Sequence, residues 1–282
     1  SCSPTIHCCR VEADVTFRVV IPARYGSVRL PGKVLLPLAG KPMLQWVYER
    51  AVASAASEVW VATDDARIEQ VAAGFGAQVM LTSQDHPSGT DRIAELVRRQ
   101  GWPPDDIVVN VQGDEPLIPP AIIDQVAGVL AAVPAAQLAT LAAPLRSAAD
   151  LFDINVVKVV TARDGRALYF SRAAIPCDRD ATLGMNGVLS QQPAQSNTEG
   201  LSSVPLLSSA RRHIGIYAYR TVALAQLAAA ASTPLESLEK LEQLRALELG
   251  MFIQVADAWQ LPLADVNTSA DAVVAERLLS SL

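Results

Sequence analysis

Apolar residues recur along this chain with two alternating periods. Short runs rich in β-branched residues predict buried strands: FRVVIPA at Phe17–Ala23, EVWVAT at Glu58–Thr63, AQVMLT at 77–82 and DIVVNVQ at 106–112. Between them lie stretches with apolar residues three and four apart, at 42–54 (opening on Pro42), 64–76 (acidic at its start, glycine at its end) and 89–99, which predict helices. The order reads βαβαβαβ. It predicts an α/β fold, a Rossmann-like sandwich whose mainly parallel sheet is covered by helices on both faces. Downstream the pattern predicts a helix over 119–133 and strands over 138–145 and 156–162. A turn at ARDG then leads to a hairpin partner at 166–172, followed by a strand at 213–220. One continuous amphipathic helix over 234–250, a strand over 252–258 and a final helix from Ser269 complete the chain. Between 178 and 209 the periodicity dissolves into Ser, Gln, Asn and Pro, which predicts a long surface loop. Residues 1–16 read as a flexible leader ahead of a single domain, 17–282.

Half of the 282 residues are hydrophobic and 18% are charged, which excludes extended disorder. A net charge of −6 argues against a broad basic surface, so no nucleic-acid polymer is expected as partner. No apolar run approaches the roughly 18 residues that cross a bilayer, and no membrane insertion is expected. Of four cysteines, Cys2, Cys8 and Cys9 sit in the leader. His7, Cys8 and Cys9 suggest a metal, but no second cluster completes a four-ligand site, and an unstructured leader is the preferred reading. The expected compartment is the reducing cytoplasm.

Three stretches concentrate chemistry. The first strand runs into ARYGSVRLPGK, with Arg24, Ser27, Arg29 and Lys33 among two glycines. Arg forks onto phosphate oxygens, Lys adds a compact charge, and glycines let the backbone approach an anion. A solvated basic loop is the competing reading. The spacing matches neither a P-loop nor the dinucleotide fingerprint, which disfavours an ATPase or a nicotinamide oxidoreductase. In VNVQGDEP a buried strand ends in Gln112, Gly113, Asp114 and Glu115. A carboxylate near phosphates calls for an intervening cation, and magnesium suits hard oxygen ligands. Otherwise Asp114 merely ends the strand. In DHPSGTDR, Ser88, Gly89, Thr90 and Arg92 open a helix and offer donors to a base, ribose or anion, or form a plain capping turn. Arg172, His213, Tyr217, Glu242 and Gln243 are scattered, and spacing alone assigns them nothing.

The stretches IPARYGSVRLPGK, VWVATDD, DHPSGTDRIAE, IVVNVQGDEPLIP, ALYFSRAAIP, RRHIGIYAYR and PLESLEKLEQLRALELG, in that order, resemble the 3-deoxy-manno-octulosonate (Kdo) cytidylyltransferase family of bacterial lipopolysaccharide synthesis. The resemblance spans 17–279 apart from most of 181–210. It implies a nucleotide-sugar transferase sandwich with a small β-containing lobe at about 150–220 that binds sugar and supports a homodimer. It implies a magnesium-dependent reaction, CTP plus Kdo giving CMP-Kdo and diphosphate, in which the anomeric hydroxyl attacks the α-phosphorus. Arg24, Lys33, Gln112 and Asp114 are then the expected catalytic set. Ala23, Arg24, Ser27, Arg29, Lys33, Ser88, Gly89, Thr90 and Arg92 would hold the nucleotide. Gln112, Arg172, His213, Tyr217, Glu242 and Gln243 would hold the sugar acid, with Arg172 on its carboxylate. Asp114 would bind the metal.

Family members usually carry Val-Asp-Thr near the C-terminus. Here Asn267 stands at that Asp, keeping an oxygen ligand without the charge, and Asp265 lies two residues earlier. The loop at 181–210 also departs in length. The competing functions are a cytidylyltransferase for an amino-Kdo variant or a sialic acid, and a CTP-binding regulator that has lost catalysis. Clustered Arg, Lys and Asp at strand ends argue against a purely structural module.

Overall fold

The computed structural model describes residues 15–26, 30–177, 210–263 and 265–281. The leader up to residue 14, Ser27, Arg29 and most of the 181–210 loop therefore lie outside the described residues.

The first half follows the predicted alternation. Strand β1 (Phe17–Ala23) is followed by a 3₁₀ turn (Lys33–Leu35), a two-rung hairpin β2–β3 (Pro37–Leu38, Lys41–Pro42), helix α1 (Met43–Val52) and β4 (Glu58–Thr63). Next come α2 (Ala66–Gly74), β5 (Gln78–Leu81), α3 (Gly89–Gln100) and β6 (Ile107–Asn110). The helix starts have local causes: the Asp65 carboxylate accepts from the Arg67 amide, and the Ser88 hydroxyl accepts from the Asp91 amide. The C-terminal half contains α4 (Pro120–Ala132), β7 (Leu138–Pro144), α5 (Ala148–Phe152), β8 (Lys158–Thr161), β9 (Ala167–Ser171), β10 (Arg211–Arg220) and α6 (Thr221–Ala229). It closes with α7 (Pro234–Glu239), α8 (Gln243–Glu248), β11 (Ile253–Asp257) and α9 (Ser269–Leu279).

The main sheet has the order β11-β7-β10-β6-β1-β4-β5. The pairs β1·β4, β1·β6, β4·β5 and β7·β11 are parallel. Strand β10 runs antiparallel to both β6 and β7, so the sheet is mixed. Its first residues also pair with β8, which forms the predicted hairpin with β9; these two strands belong to the same sheet and branch from its main path. Two apolar layers cover the sheet. Val19 and Ile21 face α1, α2, α4 and α9, while Val20 and Val108 face α3, α6 and α8. This is the two-faced burial that continuous apolar strands anticipate.

The single helix expected over 234–250 is two helices. Lys240 adopts a left-handed conformation (φ 55°) and ends α7. Leu241 then drops into the core, and α8 begins at Gln243 with Glu242 as its N-cap. The buried Arg245 guanidinium reaches back to the Glu236 carboxylate (Nε–Oε2 2.9 Å), stapling the two helices. Tertiary burial of Leu241 and this ion pair override the local helical periodicity. Among the described residues no helix is long and apolar enough to cross a membrane.

Candidate active site

From β1 the chain proceeds to β4 on one side of the sheet, while β6 lies on the other. The carboxyl ends of β1 and β6 therefore border the crevice where open α/β sheets bind ligands. Two glycines let the loops there meet. Gly32 has φ 69°, and a Cβ at this position would stand 3.0 Å from the Tyr25 ring, so the loop folds tightly over that ring. Its amide closes the turn by donating to the Tyr25 carbonyl (2.8 Å). A Cβ on Gly113 would stand 3.2 Å from the Pro22 carbonyl oxygen, so the loop after β6 lies directly on the end of β1.

The result is an ion pair between the Lys33 ammonium and the Asp114 carboxylate. The same ammonium donates to the Val266 carbonyl (3.3 Å) and Asn267 Oδ1 (3.4 Å). Fully buried Val266 anchors the third segment, and its amide donates to the Asp114 carbonyl (2.9 Å). Beyond it, the Asp271 carboxylate accepts from the Asn267 amide (3.0 Å) and caps α9. Lys33, Asp114 and Asn267, distant in sequence, thus share one point. Asp265 stands close enough to feel both charges. Burial, then the Asp114 charge, pushes its carboxyl up, against the pull of Arg212 and Lys33. Glu115 is pushed well above the carboxylate range by burial, then by Asp265 and Asp114. The cluster therefore carries more carboxylates than cations. Its donors are hard oxygens converging on a positive charge, a set that suits a divalent ion shared with substrate phosphates. Among the described residues no three His, Cys, Asp or Glu side chains form a closed metal cage, so the ion would need further oxygens from elsewhere.

Two residues before Asp114, Gln112 lines a cavity of about 210 Å³. Its walls also carry Thr90, Asn110, His213, Tyr217, Tyr219, Glu242 and Gln243. The break at Lys240 is what presents Glu242 and Gln243 here. His213 Nε2 lies 3.0 Å from Thr140 Oγ1, whose own proton is directed to the Ile216 carbonyl (2.8 Å). The ring nitrogen therefore donates, and its edge packs near Phe170 and Tyr217. Burial, then the charge of Arg212, lowers the His213 pKa from 6.5 to about 3, so the imidazole is neutral near pH 7. Burial raises Glu242, opposed by a hydrogen bond from Thr90.

The low value for His213 has a consequence for stability. Below 6.5 the unfolded chain binds a proton at this position while the folded protein does not, so stability falls as pH drops from 6.5 toward about 3. His213→Gln is expected to flatten this part of the curve, measured by thermal melts across that range. Equal slopes in the two proteins would contradict the buried, neutral ring.

The remaining site residues are more dispersed. Ala23 is buried at the end of β1, and Arg24 is exposed just beyond it. Ser88 lines a second cavity, with His86 and Asp91. Gly89 opens α3 against Pro22, while Thr90 faces the first cavity. Arg92 is buried and committed to Asp64 (2.7 Å) and Thr82 (2.5 Å), which makes it a brace beneath the crevice. Arg172 does not reach the cavity wall. Its guanidinium donates to the Glu239 and Ile154 carbonyls (both 2.8 Å), and its own carbonyl accepts from buried Lys158 (2.7 Å). Sequence reasoning passed over Asn110 and Tyr219. The available signal was a polar Asn within the otherwise apolar run IVVNV.

A cationic turn, an acidic strand end and an adjoining polar cavity suit a nucleotide triphosphate, and similarity to known proteins places the chain among the nucleotidyltransferases. The sequence profile of the family described as Cytidylyltransferase matches residues 18–253. The chain is 52% identical over 265 residues to a 3-deoxy-manno-octulosonate cytidylyltransferase of Pseudomonas fluorescens (strain Pf-5), covering 94% of this chain and 98% of that one. It is 49% identical to the enzyme so named from Thioalkalivibrio sulfidiphilus, over 94% and 99% of the two chains. Its fold is similar to a solved structure of CMP:2-keto-3-deoxy-manno-octonic acid synthetase complexed with CTP (TM-score 0.80, 38% identity, 94% of this chain and 99% of that chain). The chain belongs to the 3-deoxy-manno-octulosonate cytidylyltransferase family.

Proposed function

We propose that this protein transfers the cytidylyl group of CTP to Kdo, releasing diphosphate, with magnesium as cofactor and as a homodimer. The observation that carries the reading is the meeting of Lys33, Asp114 and Asn267 beside a polar cavity whose rim, Gln112, lies two residues from Asp114. The triphosphate belongs over the β1 loop, where Lys33 exchanges its carboxylate partner for phosphate oxygens and Arg24 adds a second charge. The sugar acid belongs in the cavity, with Gln112 between the two substrates. Alignment of the anomeric oxygen with the scissile phosphorus is the main contribution of the cavity walls, because a positioned hydroxyl no longer pays the entropy of encounter. His213, neutral and donating to Thr140, is suited to hold the sugar and too weakly basic to remove its proton. Asp114 and Asn267 would hold the magnesium ion, which supplies neutralisation of the triphosphate and of the departing diphosphate.

Diphosphate release from CTP tests the reading. It is expected only when Kdo and magnesium are both present, with mass spectrometry showing CMP-Kdo. Release with a sialic acid or an amino-Kdo instead would change the acceptor. CTP binding without release under all conditions would favour the regulator.

Asn267 makes a separate expectation. Asn267→Asp restores a second charged ligand, and ligand charge tunes affinity for hard cations. The variant is expected to reach half-maximal rate at roughly one-tenth of the magnesium concentration. Coincident metal titrations would show that the lost charge is immaterial.

A further inference from the structure

We propose that Asn110 is a specificity-determining residue that accepts a hydrogen bond from one hydroxyl of the acceptor sugar, with Tyr217 donating to the same hydroxyl. The inference rests on the reading of the cavity as the sugar-acid site. Asn110 ends β6 and is 3% exposed, yet its Oδ1 has no hydrogen-bond partner. An orphaned buried acceptor is costly unless something fills it, because its lost hydration is not replaced. The residue lines the cavity, which names where the missing partner would come from.

Among the described residues no group donates to the Asn110 carbonyl oxygen, so this acceptor is the atom left for a ligand. Directly across the ladder, Tyr217 pairs with Asn110 in register. Its hydroxyl also has no hydrogen-bond partner. One sugar hydroxyl placed between them would donate to Asn110 Oδ1 and accept from the Tyr217 hydroxyl, satisfying both orphans. A protonated amine could donate but could not accept, so this pair reads a hydroxyl.

Steady-state kinetics with wild type, Asn110→Ala and Tyr217→Phe test the proposal, using Kdo and a set of its monodeoxy analogues. Asn110→Ala is expected to raise KM for Kdo about tenfold and leave KM for CTP within about twofold, the size of one lost hydrogen bond. One analogue should be used about tenfold less efficiently than Kdo by wild type yet no less efficiently by Asn110→Ala. Tyr217→Phe, which removes the other hydrogen bond to the same hydroxyl, should weaken discrimination against that same analogue, and it carries the test if Asn110→Ala does not fold. A common loss with every acceptor, or a wild-type preference retained in both variants, would overturn the assignment. If wild type rejects Kdo but accepts another sugar acid, the substrate reading fails, and the deoxy analogues of the accepted sugar decide the role of Asn110.

Discussion

Asp114→Asn is expected to reduce kcat/KM by on the order of 10³-fold while the folded protein becomes no less stable. Two different consequences of one charge lead there. In the proposed reaction, Asp114, paired with Lys33 just beyond β6, would anchor magnesium beside the phosphates, so its loss would remove both supports together. In the fold, Asp114 is a liability. Its charge helps push Glu115 well above the usual carboxylate range and raises Asp265. Where a folded carboxyl is raised, the unfolded chain releases its proton first as pH rises, and stability declines from the ordinary carboxylate pKa up to the raised one. Removing the Asp114 charge relieves part of that decline. The Lys33–Asp114 pair is only partly buried, so its loss weighs little against this relief. Kinetics at saturating magnesium and melts near pH 7 check both halves. Near-normal turnover would end the ligand assignment, and a collapsed melt would recast Asp114 as a structural residue.

Lys33→Met is expected to lower kcat/KM for CTP by on the order of 10²-fold and to leave KM for the sugar acid within about threefold. The ammonium meets the oxygens of Asp114, Val266 and Asn267, and it does not line the cavity proposed for the sugar. The variant also leaves Asp114 without its ion-pair partner and takes from Asp265 one of the two cations, Arg212 and Lys33, that lower its pKa. Its stability should therefore fall more steeply than that of wild type as pH rises through the carboxylate range, opposite in sign to Asp114→Asn. Varying each substrate separately distinguishes the outcomes. Equal losses for both substrates would place Lys33 in general scaffolding.

Much of the architecture was legible because it rests on local chemistry. Phe17–Ala23 is an apolar β-rich run and folds as the strand it predicts. Asp65, Ser88 and Thr268 cap helices through their own side chains. The ARDG turn pairs β8 with β9 as read. Of the stretches ARYGSVRLPGK, VQGDEP and VNT, the fold brings Lys33, Asp114 and Asn267 together, a meeting that no single stretch could announce. Arg172 was less legible: its residue type fits a carboxylate, but the fold directs its guanidinium to the Glu239 and Ile154 carbonyls. Arg92 was similar, since a cation in a predicted donor turn is in fact spent on bracing Asp64 and Thr82.

By itself the sequence determined the period of each element, its caps and turns, the apolar character of strands buried on both faces, and which segments hold reactive groups, since all of these depend on neighbours a few residues apart. Only the tertiary structure decided that β10 enters antiparallel between β6 and β7, that Lys240 divides a helix its periodicity would have continued, and that an ammonium at Lys33 finds oxygens 81 and 234 positions away. Those outcomes depend on which distant surfaces exclude water from one another, and no local window of residues contains that information.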